Sequence, residues 1–176
     1  MKQLQTLKFI SNNSTDAHFL IDRQSKVLYV NKVACESLGY SESELLKMSI
    51  PDMDPVYDMT KFQRLFDLIQ KERVPPFETL YRRKDGSPFP IEVSVTGIRL
   101  DGEPYMFGAA RDITERKRAE EELSAAKKRL AFLAEASSLL SGSLDYETTL
   151  KNVARLAVPE ISDWCTVDII DEGGSL

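Results

Sequence analysis

Apolar residues form short runs near the start of the chain, and these runs predict one helix and two strands. Three apolar residues recur at helical spacing within 2–12, which predicts a short amphipathic helix. The nearly continuous apolar run at 17–21 is typical of a strand buried on both faces. After a turn at 22–25, the branched and aromatic residues 27–30 predict a second strand.

Capping residues then mark a series of helices. Asn31 is placed to cap the first and Gly39 to end it. Ser41 and Glu44 have the spacing of a capping box at the start of the second. A stronger helix is predicted over 57–72, with one apolar face formed by Met59, Phe62, Phe66 and Ile69 and with Leu65 beside them.

Three more strands follow these helices. The first is predicted over 77–83, and the second begins at Phe89 with strict alternation of apolar and polar residues. The phase of the alternation changes at Gly97, which predicts a bulge there. A turn at 101–102 leads into 105–110, apolar on both faces and therefore predicted to be a central strand. The fold class is α+β, with one five-stranded antiparallel sheet and flanking helices.

The segment 115–140 differs in composition and predicts a long linker helix. Its first half is dense in Glu, Lys, Arg and Ala, without Gly or Pro. Apolar residues follow alternating four- and three-residue steps, interrupted by Ser137; they are Ala119, Leu123, Ala126, Leu130, Leu133 and Leu140. This seam favours a homodimeric coiled coil, in which small residues would keep the pairing weak. A lone surface helix packed on one domain is the alternative.

The last residues predict the beginning of another domain. A break at 141–143 precedes a helix that Asp145 can cap and Pro159 ends. Residues 164–170 then have the pattern of a strand, after which the chain stops at Leu176. Because a lone strand is not stable by itself, we expect the remainder of this domain to lie outside the chain.

Composition and charge restrict the partners and the compartment. Of the 176 residues, 42% are hydrophobic, which is enough to build a core, and the net charge of −5 argues against nucleic acid as a partner. The two cysteines, Cys35 and Cys165, fit a reducing compartment better than a disulfide framework. No apolar run reaches the roughly 18–20 residues of a membrane span. We therefore expect a cytoplasmic chain, although an anchor in sequence outside it stays open.

Candidate chemistry for catalysis or metal binding is sparse. The single histidine, His18, lies on an apolar strand, so neither a Ser-His-Asp nor a Cys-His arrangement is credible. The eight glycines are scattered at turns and form no phosphate-binding loop. The spacing of Cys and His does not suit a metal. The chain is therefore predicted to be non-catalytic.

Several segments, in this order, resemble the motifs of one family. They are an opening hairpin at 16–22 and 27–31, a helix joint at 38–45, strands at 82–87 and 89–93, and an exit (PAC) motif at 111–117. Together they cover about two thirds of the chain, and residues 5–118 resemble PAS domains of the bacterial sensor type. One departure is Ser25, where the family often has a glycine that reaches positive φ without strain.

Residues 130–176 resemble the N-terminal part of GAF domains. The likeness is carried by Ser143–Asp145, Val158–Glu160 and Asp163–Cys165. The two resemblances imply a PAS sensor domain over 1–114, a helical coiled-coil linker over 115–140, and a truncated, incomplete GAF domain from 141 to 176.

The PAS resemblance implies a sensory module for signal transduction. PAS–GAF arrays belong most often to sensor histidine kinases of two-component systems, and next to serine/threonine phosphatases or cyclic-di-nucleotide enzymes. In a sensor, a small ligand, a redox change or a partner would alter the PAS core, and the linker would carry the change to a missing output domain. A ligand-free dimerisation scaffold and a flavin-based light or redox sensor are the alternatives.

The resemblance also implies a small cavity between the sheet and the long helix. Its candidate lining is Phe19, Ile21, Phe62, Phe66, Ile69, Ile91, Val93 and Phe107. These side chains could equally fill the core. Haem is disfavoured because 57–72 contain no histidine, and covalent flavin because the surroundings of Cys35 do not match the family's Asn-Cys-Arg. Non-covalent flavin stays possible, so the cofactor is unknown.

The exit motif predicts a clasp between the last strand and the linker. The carboxylate of Asp112 could pair with Arg82 or Arg83, both favoured over Lys84 because Arg binds carboxylates bidentately. Thr114 could cap the linker helix. The resemblance places Asp112 and Thr114 at the output junction, where a clasp would transmit signals. An ordinary surface ion pair, contributing about 0–1 kcal/mol, is the alternative.

Overall fold

The computed structural model describes residues 9–141. Residues 9–12 are helical, as predicted for the end of the first helix, and the strands and helices follow in the expected order. The strands are β1 (Ala17–Ile21), β2 (Val27–Val30), β3 (Phe77–Arg82), β4 (Pro88–Leu100) and β5 (Glu103–Asp112). The helices are α1 (Lys32–Leu38), α2 (Glu42–Leu45), α3 (Ile50–Met53), α4 (Met59–Ile69) and α5 (Thr114–Ser141); the first four lie between β2 and β3.

The five strands form one antiparallel sheet in the order β2-β1-β5-β4-β3. The last strand in sequence, β5, is therefore the central one, which confirms the prediction from its apolar character. Ala17 of β1 pairs with Ala110 on one side of β5, and Ile91 of β4 pairs with Asp112 on the other. Any displacement of β1 or β4 thus acts on the strand that leads directly into α5.

The predicted helix caps at Asn31 and Ser41 are confirmed. The Asn31 side chain accepts a hydrogen bond from the backbone N–H of Ala34 at 2.9 Å and another from that of His18 at 2.9 Å. It therefore joins the start of α1 to β1. Gly39 ends α1 at a φ of 77°, and Ser41 and Glu44 form the capping box of α2.

Ser25 adopts the left-handed conformation for which the family often has glycine. Its φ is 69° and it is fully buried. The Ser25 Oγ accepts a hydrogen bond from the N–H of Ile50 at 3.0 Å, and the Ser25 carbonyl lies 3.2 Å from the same nitrogen. These contacts with the first residue of α3 offset the backbone strain of a non-glycine residue at positive φ.

The core lies between one face of the sheet and the helices. Phe62, Phe66 and Ile69, on the predicted apolar face of α4, are buried there, whereas Met59, on the same predicted face, is 38% exposed. Met59 is the first residue of α4. The apolar pattern fixes which face of a helix is buried, but not how far the core extends along it.

The bulge predicted at Gly97 is wrong. Pairing of β4 with β5 runs without a shift from Ile91 opposite Asp112 to Leu100 opposite Glu103. Gly97 is required for another reason, since a Cβ atom there would lie 2.6 Å from the carbonyl oxygen of Ile69. The glycine lets the end of α4 approach the sheet.

We expect Gly97→Ala to lower the free energy of unfolding by about 1–3 kcal/mol, because the added methyl group clashes with backbone that cannot move freely. Urea unfolding followed by circular dichroism measures this. Gly108→Ala is the matched control on the neighbouring strand, because a Cβ at Gly108 meets nothing within 4 Å. Equal stability of Gly97→Ala and the wild type would show that the close approach has no energetic consequence.

The long helix α5 begins two residues after β5 ends. Contacts divide the chain after Lys117, so the first turn of α5 belongs to the sheet-containing unit. Among residues 9–141, no helix combines the length and apolarity needed to cross a bilayer. The predicted GAF segment, 141–176, lies outside the described residues apart from Ser141, the last residue of α5.

Candidate functional site

A cavity of about 30 Å³ lies between the inner face of the sheet and the helices. Four of the predicted lining residues contact it: Phe19, Ile21, Phe62 and Val93. The other contacts come from Ile50, Asp54, Tyr57, Leu65, Phe77, Thr79, Tyr81, Val95, Met106, Gly108 and Ala110. The lining is therefore mostly apolar. Its residues with polar side-chain groups are Asp54, Tyr57, Thr79 and Tyr81.

The remaining predicted lining residues lie elsewhere. Phe66, Ile69 and Ile91 are buried in the same core but do not line this cavity. Phe107 lies on the opposite face of the sheet, half-buried, with its ring centroid 5.4 Å from that of His18. Along β5 it is Met106 and its alternate neighbours that face the cavity.

Asp54, which sequence reasoning missed, is a buried carboxylic acid that lines the cavity. Only 3% of the residue is exposed. Its Oδ1 accepts hydrogen bonds from the backbone N–H groups of Val56 at 2.8 Å and Tyr57 at 3.0 Å. Its Oδ2 accepts one from the hydroxyl of Thr79 at 2.9 Å. Burial raises the pKa of Asp54 above its usual value, although these hydrogen bonds oppose the rise.

Several aromatic rings line the same cavity as this carboxylate. Tyr57 stacks on Phe77 with 5.6 Å between centroids, and Tyr81 meets the edge of Phe19 at 6.1 Å. Burial, and secondarily the charge of Asp54, raises the pKa of both Tyr57 and Tyr81, so both phenols stay protonated at neutral pH.

A second group of functional candidates lies where β5 meets α5. Arg83 Nη2 is 2.8 Å from Asp112 Oδ2, so of the two predicted arginines it is Arg83 that pairs with the carboxylate. Arg82 is exposed at the end of β3. The guanidinium of Arg83 also donates to the carbonyl of Ser37 and lies 3.7 Å from the ring centroid of Phe89. Arg83 thus links α1, β4 and the end of β5.

The other oxygen of Asp112 holds the first residue of the linker helix. Asp112 Oδ1 accepts hydrogen bonds from the Thr114 N–H at 2.9 Å and from the Thr114 hydroxyl at 2.5 Å. The prediction that Thr114 caps the helix needs correction. Thr114 is the first residue of α5, and the carboxylate that accepts from its backbone N–H belongs to Asp112.

Two glutamates that sequence reasoning missed also contact the first turn of α5. Arg116 Nη2 lies 2.8 Å from Oε1 of Glu78 in β3, and Arg116 Nη1 lies 3.3 Å from Oε2 of Glu92 in β4. Lys117 Nζ lies 2.6 Å from Glu78 Oε2. In the sequence, both glutamates lie next to apolar residues in predicted strands, as solvent-facing residues of such strands commonly do. Only the charges at 116 and 117 could have suggested acidic partners.

The carboxylates of this junction favour the ionised form. For Asp112, burial is the largest single influence and raises the pKa, but the hydrogen bonds from Thr114 and Arg83 together hold the pKa below its usual value. For Glu78, the hydrogen bond from Lys117 is the largest influence and lowers the pKa. Both groups are therefore charged at neutral pH and pair with the cations of the junction.

The residues weighed for cofactors lie away from the cavity. His18 Nδ1 is 2.9 Å from the Ser11 hydroxyl, and the ring contacts Phe107. Cys35 is a half-buried free thiol whose pKa is raised by burial. Within residues 9–141, no three His, Cys, Asp or Glu side chains gather in a way that could hold a metal ion.

Comparisons with known proteins agree with this architecture. A sequence profile of the family described as PAS domain matches residues 15–115. The PAS domain of an HTR-like protein from Haloarcula marismortui is 32% identical, with a TM-score of 0.57, and the match covers 64% of this chain and 93% of that one.

Two curated relatives are sensor proteins. The methyl sulfide methyltransferase-associated sensor of Methanosarcina acetivorans is 33% identical over 147 residues, which are 83% of this chain and 13% of that protein. The sensor histidine kinase TmoS of Ectopseudomonas mendocina is 27% identical over 136 residues, which are 75% of this chain and 14% of that protein. The chain thus spans less than a sixth of the length of either relative.

Proposed function

This chain belongs to the PAS domain family, and we propose that it is the sensory and regulatory module of a larger signalling protein. A small ligand in the core cavity would alter the sheet, and α5 would carry the change to an output domain outside this chain. The main support for the proposal is that β5 connects the cavity to α5. This strand lines the cavity at Gly108, holds Asp112 at its end and is followed directly by α5.

A histidine kinase is the proposed output domain. It is supported by the similarity to sensor proteins, one of which is named a sensor histidine kinase. A serine/threonine phosphatase or a cyclic-di-nucleotide enzyme is the alternative. The proposed division of the chain is a PAS domain over 1–114 with its exit motif, a coiled-coil linker over 115–140 and the start of a GAF domain over 141–176. The proposed location is the cytoplasm.

The size of the cavity favours a ligand of few atoms. Pockets for drug-sized ligands and cofactors have volumes of about 300–1,000 Å³, whereas this cavity measures about 30 Å³. A flavin would therefore require the core to open widely. The same small volume favours the second candidate function, a dimerisation scaffold whose core binds nothing.

A screen of small molecules tests sensing against the scaffold. The ¹⁵N-labelled chain is titrated with charged and neutral compounds of a few heavy atoms while its amide resonances are followed. A sensor should show saturable shifts around the cavity and at 114–117, and Gly108→Ala, whose methyl group enters the free space, should weaken them. Shifts confined to the cavity would contradict transmission to α5. A cavity that no compound enters would favour the scaffold.

We propose that α5 pairs with α5 of a second copy. Its seam exposes three leucines to solvent, namely Leu123 (56%), Leu130 (67%) and Leu133 (55%). A carboxylate in such a seam would be desolvated without a partner. We therefore expect a concentration-dependent dimer for the wild type in analytical ultracentrifugation and a monomer for Leu130→Glu.

The matched control for the dimer is Lys128→Glu, which changes charge on the same helix but outside the seam. It should keep most of the dimer. A wild type that is still monomeric at about 100 μM, a concentration at which even a Kd of about 1 μM gives mostly dimer, would contradict the pairing of α5.

A further inference from the structure

The lining of the cavity combines one carboxylate with several aromatic rings. Asp54 lines it together with five aromatic residues, which are Phe19, Tyr57, Phe62, Phe77 and Tyr81. The faces of such rings carry negative electrostatic potential, so they attract cations and give nothing to an anion. A carboxylate beside them adds a full negative charge. The carboxylate and the aromatic rings of the lining therefore both favour a cationic ligand.

The charge of Asp54 has hydrogen-bond donors but no cationic partner in the described part of the chain. Its three donors are two backbone N–H groups and the Thr79 hydroxyl, all electrically neutral. The nearby Lys61 lowers the pKa of Asp54 only as a minor influence, and its Nζ donates to the carbonyl of Val56 instead. A buried charge is costly unless a counter-charge offsets it. When Asp54 is ionised, its negative charge is therefore not neutralised by a cation of the described residues.

The dimensions of the cavity limit the counter-ion. Its free space of about 30 Å³ is far below the roughly 300–1,000 Å³ of pockets for drug-sized ligands, so it suits a ligand of a few heavy atoms. An inorganic cation would leave the aromatic rings without an apolar contact, and it prefers several oxygen ligands. An ammonium group that carries a short alkyl chain satisfies both the carboxylate and the rings.

We propose that the cavity binds a small alkylammonium ion of one or two carbons, with its N–H groups donating to Asp54 Oδ2 and its alkyl group against the aromatic rings. The proposal rests on the proposed sensory function and names the chemical class of its ligand. The Thr79 hydroxyl also donates a hydrogen bond to Oδ2, at 2.9 Å. The phenols of Tyr57 and Tyr81 stay neutral, so they contribute aromatic surface rather than charge.

The alternative role of Asp54 is structural. Its two bonds to the N–H groups of Val56 and Tyr57 form a turn of the kind that aspartate stabilises without any ligand. That role explains Oδ1. It does not explain why the residue that lines the cavity is charged, because a neutral asparagine would form the same turn without burying a charge.

The test is a titration of the ¹⁵N-labelled full chain with methylammonium chloride. Concentrations up to about 50 mM are required, because a ligand of so few atoms binds weakly. The amide resonances of Val56, Tyr57 and Thr79 report on the site. Methanol at the same concentration is the neutral control, and sodium chloride at the same ionic strength is the control for screening. Asp54→Asn removes the charge and keeps the acceptor for the turn.

We expect methylammonium to shift the three resonances saturably, and methanol and sodium chloride to leave them unchanged. Asp54→Asn should weaken methylammonium binding about tenfold or more, as for the loss of one charge-assisted hydrogen bond. The comparison of the three solutes on the wild type decides the question even if Asp54→Asn does not fold.

Two results would overturn the proposal, and they differ in what they imply for sensing. Equal shifts with methanol and methylammonium would show a site for neutral molecules and leave the sensory function intact. No saturable shift with any solute, here or in the wider screen, would overturn the cation site and the sensory function together.

Discussion

Phe62→Ala will lower the free energy of unfolding by about 3–5 kcal/mol, because it deletes a large buried ring whose place cannot be refilled by its neighbours. Phe62 is 1% exposed, packs 5.9 Å from the ring centroid of Phe66 and borders the cavity. The existing void lies beside the deleted ring, so the two spaces merge. Chemical denaturation of the purified chain measures the loss.

Met59→Ala is the matched control for this substitution. Met59 lies one turn earlier on the same helix, in the same apolar pattern, but it is 38% exposed. Its truncation should lower the free energy of unfolding by less than about 1 kcal/mol. Similar losses for both variants would mean that burial along α4 does not follow the structure described above.

Asp112→Ala will release the first turn of α5 from the sheet while the domain stays folded. The substitution removes the ion pair to Arg83 and both hydrogen bonds to Thr114. We expect a global loss of about 1–2 kcal/mol, as for the removal of a helix cap. The larger effect should be local, because Thr114 then lacks the acceptor for its N–H. Hydrogen exchange of the amides at 114–117 should accelerate well beyond that of the sheet.

Asp16→Ala provides a matched control for Asp112→Ala. Asp16 forms a two-point ion pair with Arg111, at 2.8 and 3.0 Å, beside the end of the same strand, and neither bond involves Thr114. Exchange at 114–117 should stay near the wild-type rate. If both variants release the helix equally, or if Asp112→Ala unfolds the whole domain, Asp112 has no special role at the junction.

The role of Asp112 also predicts a dependence on pH. Its folded-state pKa is lowered, so its contribution is fully present above the unfolded pKa of about 3.9 and is lost as the pH falls through the folded value. Protection of the amides at 114–117 should therefore decline below about pH 4 in the wild type. Asp112→Ala should show less of this decline, with the remainder arising from Glu78.

The sequence predicted the order of the elements because their signals are local. Asn31 and Ser41 mark helix starts through side-chain bonds to N–H groups three residues away, and the turn at 101–102 needs only two residues at positive φ. The central position of β5 followed from its apolar character on both faces. Because both faces of β5 are apolar, the pattern does not show which alternate residues face the core. Phe107 was therefore expected at the cavity, where Met106 is found.

The polar half of the site depends on contacts that are distant in sequence. Asp54 lies in a segment rich in Asp and Pro that resembles any surface turn, whereas in the structure it is buried and accepts a hydrogen bond from Thr79, 25 residues away. The change of phase at Gly97 was interpreted from the pattern of β4 alone, whereas the structure requires a glycine there because the end of α4 lies so close. Glu78 and Glu92 bind the start of α5 because β3 and β4 are adjacent.

Hydrogen exchange at the start of α5, measured while the cavity alone is changed, tests most directly whether the core and the linker helix are coupled. Gly108→Ala places one methyl group in the cavity, four residues before Asp112 on the same strand. We predict that the exchange rates of the amides at 114–117 differ between this variant and the wild type, and that the difference disappears when Asp112→Ala is added to both. Unchanged rates at 114–117, with altered rates around the cavity, would contradict the account.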